Sequence, residues 1–113
     1  MKIEILYSRN CPNFQPTLDL LNKALIGRRI RIPVETVLID SEEEAARKQF
    51  LGSPTIRFDG EDIDPATQSQ TDYGLKCRIY LETGQGVPSQ EMLELALDQA
   101  QKKRRLQKEA PLN

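Results

Sequence analysis

Cys11 is the residue in this chain whose type and position are best suited to chemistry. It follows a predicted strand over residues 2–7 and precedes a helical pattern that begins near Asn13. The partial positive charge and free N–H groups of a helix N-terminus favour a thiolate, which is the nucleophile of disulfide exchange. Arg9 could add positive charge at the same place. A structural cysteine that happens to precede a helix would show the same pattern, so position alone leaves both interpretations open.

Other reactive groups are few. The 113 residues include no His, which excludes imidazole acid–base catalysis, Ser–His and Cys–His nucleophile pairs, and imidazole zinc sites. Two Cys cannot form a Cys-rich zinc site or a disulfide scaffold. Acidic residues cluster at Asp59, Glu61, Asp62, Asp64 and Asp72. Because this cluster lacks the EF-hand spacing and its terminal glutamate, we expect a solvated loop and no metal site.

Hydrophobic patterning predicts the elements that position these residues. They are a strand over 2–7, a helix from near residue 13 to 27, a strand over 34–39, a short helix opened by the capping box of residues 41–44, strands over 55–58 and 77–83, and a helix opening at 88–89. The helix between the first two strands predicts that they are parallel. The continuous apolar run Val37–Ile39 is typical of a strand covered on both faces. The order favours an α/β fold with a central four-stranded mixed sheet and helices on both faces.

Length and composition predict one domain. Hydrophobic residues make up 38% of the chain and charged residues 29%, which suits a modest core inside a well-solvated surface. We expect the domain to span residues 1–101 and a basic, partly disordered tail to span 102–113. No apolar run is long enough to span a membrane and the N-terminus lacks a signal-peptide pattern, so a cytoplasmic location is expected. The net charge of −1 argues against general nucleic-acid binding.

Two motifs and the element order resemble the thioredoxin/glutaredoxin superfamily. The motifs are Cys11-Pro12-Asn13-Phe14 at the first strand–helix junction and Ser53-Pro54-Thr55 before the third strand. The segments 51–55, 59–60 and 73–80 further resemble a group of small thioredoxin-like proteins, some of them labelled organomercurial lyase-like. The resemblance covers about residues 1–100. It implies a thioredoxin-like fold in the order βαβ-α-ββα, a catalytic Cys11, and a cis-proline at Pro54 that contacts the substrate. The implied substrate-binding residues are Arg9, Pro12, Ser53, Pro54 and Thr55.

The chain departs from the dithiol members of that superfamily at Phe14. Those enzymes have Cys-x-x-Cys, and their second thiol resolves the mixed disulfide. Phe14 occupies that second place, so an internal dithiol cycle at this motif is excluded. The resemblance then implies a single-thiol thiol–disulfide oxidoreductase, with a disulfide-containing protein or glutathione as partner. Glutathione or another thiol would resolve the mixed disulfide as a co-substrate, and no bound cofactor is implied.

Cys77 is not expected to form a direct bond with Cys11 unless the loop over 61–75 folds over, and whether it takes part in the chemistry stays open. Strand alternation places Cys77, Ile79 and Leu81 on one face, where a buried, inert thiol is expected. A hairpin between strands 55–58 and 77–83 would start Cys77 roughly 10–13 Å from the Cys11 end of the sheet. A disulfide requires Cα atoms within about 7 Å, which argues against a direct bond between the two cysteines.

Two further functions stay open at this stage. The first is a non-catalytic thioredoxin-like binding module, because one thiol of the usual pair is missing and no acid–base residue replaces it. Its partner would meet an exposed strand edge, the acidic loop or the basic tail. The second is capture of a soft metal or an organomercurial by Cys11, with or without Cys77.

Overall fold

The computed structural model describes residues 1–80 and 82–109. The elements in chain order are β1 (Ile3–Tyr7), α1 (Phe14–Gly27), β2 (Val34–Leu38), α2 (Glu42–Arg47), β3 (Thr55–Phe58), β4 (Glu61–Asp62), a 3₁₀ helix (Pro65–Ser69) and α3 (Gln90–Glu109). The four strands form one mixed sheet in the order β2-β1-β3-β4. β1 pairs with β2 in parallel and with β3 antiparallel, and β3 pairs with β4 antiparallel. The predicted α/β fold is confirmed, and its arrangement is consistent with a thioredoxin-like architecture.

The sheet is covered on both faces because β1 alternates its apolar side chains. Ile3 and Ile5 contribute to a large core with α1 and α3, whereas Leu6 packs into a smaller cluster with α2. The larger core also contains Leu21, Ala24 and Leu25 of α1, Ile56 and Phe58 of β3, and Leu93 and Leu97 of α3. The smaller cluster adds Ile39, Ala45 and Phe50. Helices therefore lie on both faces of the sheet, as predicted.

The two ends of α1 show why the helix starts where it does and how it is joined to α3. Asn13 is its N-cap, so Pro16 falls in the first turn, where backbone amides have no intrahelical partner. At the other end, the Arg28 guanidinium donates to Glu94 at 2.7 Å and to Asp98 at 2.7 Å on α3. This pairing joins the two helices that cover the same face.

The fourth strand is not the predicted one. The expected strand over 77–83 is absent from the described residues, where Cys77 makes only an isolated bridge to Ser53. The edge of β3 is instead taken by β4, directly after a turn at Asp59 and Gly60. Both turn residues have positive φ, 52° and 82°, as in the type I′ hairpin turns that Asp-Gly favours. The chain therefore reverses at once, and residues 61–62 occupy the β3 edge that the strand over 77–83 was expected to occupy.

The coverage of β2 also differs from the prediction. β2 lies at an edge of the sheet, and its Glu35 and Thr36 are exposed, so it is not covered on both faces. The apolar run that suggested double coverage extends beyond the strand to Ile39, which is buried in the smaller cluster. α3 continues to Glu109, and its residues 101–106 are exposed. Residues 110–113 of the expected tail lie outside the described residues. No helix within the described ranges is long and apolar enough to cross a membrane.

Candidate functional site

The site begins with Cys11, which lies between the end of β1 and the start of α1. Cys11 is a free cysteine, and the residue as a whole is only partly buried. The Cys11 carbonyl accepts a hydrogen bond from the Phe14 N–H at 3.3 Å, which closes the turn into α1. The ring of Phe14 stacks on Tyr7 with centroids 4.1 Å apart. Phe14 is thus fixed against the end of β1, and the place of a second thiol is filled by this aromatic contact.

The start of α1 is covered from one side by the loop that contains Gly86. A Cβ atom at Gly86 would lie 2.1 Å from Asn13 Nδ2, so only glycine leaves room for the Asn13 side chain. The Asn13 side chain makes no capping hydrogen bond. The first amides of α1 therefore do not receive the side-chain partner that an N-cap residue usually supplies.

Arg9 and Pro12 flank the cysteine and are exposed. The Arg9 guanidinium forms a two-pronged pair with Asp40, with donor–acceptor distances of 2.7 and 3.1 Å. Hydrogen bonding to Arg9 lowers the pKa of Asp40, and the same bond raises the pKa of Arg9. The positive charge expected to support Cys11 is therefore shared with a carboxylate that follows β2.

The Ser53–Pro54 peptide bond is cis, as predicted. It lies at the same end of the sheet as Cys11, because β1 and β3 are antiparallel and Leu6 is paired with Thr55. The Ser8 N–H, just past β1, donates to Ser53 Oγ at 3.0 Å. This bond ties the cis-proline segment to the residues that lead into Cys11.

All three residues of the predicted substrate platform, Ser53–Thr55, are buried. The Ser53 N–H donates to the Lys76 carbonyl at 2.8 Å, and the Arg78 N–H donates to the Ser53 carbonyl at 3.0 Å. The chain segment 76–78 therefore occupies the hydrogen-bonding edge of Ser53.

Arg78 and Tyr80 are hydrogen-bonded to the cis-proline segment, and the sequence did not identify them as site residues. The Tyr80 hydroxyl donates to the Pro54 carbonyl at 2.7 Å, and the Arg78 guanidinium lies 4.3 Å from the centre of the Tyr80 ring. Arg78 also donates to both oxygens of Asp62, at 2.6 and 2.9 Å, and to Thr55 Oγ1 at 3.2 Å. The network connects the cis-proline carbonyl to a buried ion pair. The signal available in the sequence was one Arg among apolar residues at 77–81, which alternation alone assigned to the solvent face.

Burial raises the pKa of Tyr80 far above its ordinary value of 10.0, although the positive charge of Arg78 opposes the effect. Negative charge at Asp62, Asp64 and Cys11 acts in the same direction as burial. Tyr80 is therefore a neutral donor to the Pro54 carbonyl.

The prediction of a buried Cys77 is wrong. Cys77 and Ile79 are exposed, while Arg78 and Tyr80 are buried, so the alternation is reversed. The reason is the pairing of Arg78 with Asp62 and of Tyr80 with Pro54, which turns the even-numbered side chains inward. The bridge to Ser53 also places Cys77 beside the cis-proline, not at the far end of β3. Leu81, the third member of the predicted face, lies outside the described residues.

Comparison of the chain with protein-family models, with curated proteins and with solved structures gives no match. The described residues contain no group of three or more His, Cys, Asp or Glu side chains that could hold a metal ion. The cis-proline end of the sheet therefore carries two free cysteines, the partly buried Cys11 and the exposed Cys77, beside a hydrogen-bond network that includes the buried Arg78–Asp62 ion pair.

Proposed function

We propose that this protein is a thioredoxin-like thiol–disulfide oxidoreductase that works through the single thiol of Cys11. The observation that carries the proposal is the position of Cys11. This free and only partly buried cysteine precedes α1 at the same end of the sheet as the cis Ser53–Pro54 bond. The helix start supplies positive potential for a thiolate, and thiolates attack disulfides.

The reaction takes two exchange steps. In the first, the Cys11 thiolate attacks one sulfur of a substrate disulfide, forms a mixed disulfide, and releases the other sulfur as a thiolate. In the second, the thiolate of glutathione attacks that mixed disulfide and releases Cys11. The balance closes for a mixed disulfide of a substrate thiol and glutathione: the first step leaves glutathione on Cys11 and releases the substrate thiolate, and the second gives glutathione disulfide and the Cys11 thiolate. For any other disulfide, a second glutathione must attack the substrate–glutathione disulfide that the second step forms. We assign the second step to an external thiol because Phe14, stacked on Tyr7, stands where dithiol enzymes of the superfamily have their resolving cysteine.

The first test compares the two cysteines of the same chain. Cys77 is the more exposed, so exposure alone would make it react faster with iodoacetamide. We expect Cys11 to be alkylated faster than Cys77 at pH 7, measured by peptide mass spectrometry over time, because only Cys11 precedes a long helix. Faster alkylation of Cys77 would contradict activation of Cys11.

The second test measures turnover. With the mixed disulfide of glutathione and 2-mercaptoethanol as substrate and glutathione in excess, we expect Cys11→Ser to abolish catalysis. Cys77→Ser is the matched control and should retain it. Equal rates for wild type and Cys11→Ser would sink the enzymatic proposal.

One observation favours a second candidate, a non-catalytic binding module. The backbone of Ser53 is already paired with Lys76 and Arg78, so the predicted platform is covered by the chain itself. Beside it, Ile79 has 65% of its surface exposed and Leu75 has 36%, which leaves apolar side chains available to a protein partner. If both cysteine variants and wild type are equally inactive, loss of partner capture on Ile79→Ser would favour this alternative.

A further inference from the structure

A groove of about 550 Å³ lies between the β4–3₁₀ segment and α3, and Cys11 is not among its lining residues. Phe58, Ile63 and Met92 line it with buried apolar side chains. Leu95 of α3 adds an apolar wall of which 61% is exposed. The volume falls within the roughly 300–1,000 Å³ of small-molecule sites. An exposed leucine beside such a floor provides apolar surface for a ligand to cover.

The charge around this groove is predominantly negative. Its lining includes the carboxylates of Asp59, Glu61, Asp62, Asp64 and Glu82, against the cations of Lys103 and Arg104. Asp62 is neutralised by Arg78, and Glu61 by Lys103. Asp59, Asp64 and Glu82 make no ion pair with any residue that the structure describes. The rim therefore keeps negative charge in excess beside an apolar floor.

The chain itself shows how the rim accepts an ammonium group. Lys103 Nζ, reaching from α3, donates to both oxygens of Glu61, each at 2.8 Å. Both side chains are largely exposed, at 60% and 63%, so the pair is held by charge and not by burial. Asp64 and Glu82 would offer a ligand ammonium the same kind of acceptor. Their carboxylates accept hydrogen bonds from uncharged groups of the described chain and form no ion pair there.

We propose that this groove binds a small organic cation, with its apolar body on the floor and a protonated amine at the carboxylate rim. The apolar lining selects against fully solvated cations, and the excess carboxylates select against anions of the same shape. The site is independent of Cys11 and of the proposed redox function.

The test uses three probes with the same chain length and different charge: octylammonium, octanol and octanoate, each below its micelle threshold. Binding is followed by amide chemical shifts of the ¹⁵N-labelled protein. We expect octylammonium to shift amides of residues 61–64 and 92–103 and to bind about ten-fold more tightly than octanoate, with octanol in between. Equal affinity for the three probes, or shifts that map elsewhere, would overturn the proposal.

Variants then separate charge from fold. Asp64 accepts from the Ala66 N–H and Glu82 from the Ser89 hydroxyl, and an amide oxygen can accept both bonds. Asp64→Asn and Glu82→Gln should therefore fold and weaken octylammonium binding about two- to five-fold each. Glu43→Gln, which removes an exposed carboxylate on α2, is the matched control and should bind as wild type does. Binding unchanged in the two groove variants would refute the role of the carboxylates.

Discussion

At the scale of the residue, the same chemical group behaves differently according to its burial and its neighbours. Asp62 and Glu61 are adjacent in β4, yet one forms a nearly buried ion pair and the other an exposed one. Arg78 keeps its charge because hydrogen bonding to Asp62 offsets its burial, which alone would lower the pKa of Arg78. At Cys11, chemistry likewise depends on the surroundings, since a thiol becomes a useful nucleophile only beside positive potential.

The two ion pairs of β4 make a matched comparison. Side-chain exposure is 6% and 13% in the Arg78–Asp62 pair but 60% and 63% in the Lys103–Glu61 pair. Asp62→Asn leaves a buried guanidinium without its counter-charge and should lower the free energy of unfolding by about 3 kcal/mol. Glu61→Gln should cost less than about 1 kcal/mol. Urea denaturation measures both, and equal losses would contradict the difference in burial.

Tyr80 gives the protein a stability limit at high pH. Its pKa is raised in the folded state, so the folded protein keeps a proton that the unfolded chain loses above pH 10. Its contribution is complete below that pH and declines as pH rises. From pH 10 to 11 we expect wild type to lose about 1 kcal/mol more of its free energy of unfolding than Tyr80→Phe.

At pH 7, Tyr80→Phe should itself be destabilised by about 1–3 kcal/mol, because the Pro54 carbonyl loses its donor. Parallel stability curves for wild type and Tyr80→Phe above pH 10 would disprove the assignment.

At the scale of elements, the sequence predicted those whose signal is local. β3 was predicted over 55–58 and is Thr55–Phe58, and α1 begins after Asn13, as its proline required. The fourth strand was predicted wrongly because the edge of β3 could pair either with residues 61–62 or with residues 77–83. The Asp59-Gly60 turn reverses the chain directly after β3, so residues 61–62 form the fourth strand. The orientation of residues 77–80 depends on a buried pair with Asp62, a contact between residues distant in sequence that alternation cannot foresee.

Two glycines test how backbone conformation fixes these elements. A Cβ on Gly27, the last residue of α1, would meet no atom within 4 Å, so Gly27→Ala should stabilise the protein by about 0.5 kcal/mol. Gly52 has φ +125°, and a Cβ there would lie 3.0 Å from Arg78 Cβ. Gly52→Ala should therefore cost at least about 2 kcal/mol, as strain and contact act together. Thermal unfolding of the two variants in parallel measures both, and a shared sign would contradict this account.

At the scale of the whole molecule, helices cover both faces of the sheet, and α3 extends beyond these layers. The radius of gyration is 14.3 Å, slightly above the roughly 13 Å expected for this length. α3 explains the excess, since its 20 residues span about 30 Å and residues 101–106 lie in solvent. Cys11 does not line the cation groove, but Asp62 of the groove also pairs with Arg78 of the cis-proline network, so Asp64 and Glu82 are the positions that test the groove alone.

Because β1 serves both faces of the sheet, the two cores should unfold together. Leu6 and Leu97 are buried in the smaller and the larger cluster respectively, at 1% and 0% exposure. Leu6→Ala and Leu97→Ala should each cost about 2–5 kcal/mol through the cavity they leave. In both variants, unfolding should remain one transition in which far-UV and near-UV circular dichroism coincide. An early partial transition confined to Leu6→Ala would instead mean that the α2 face melts on its own, with β1 held by the other core.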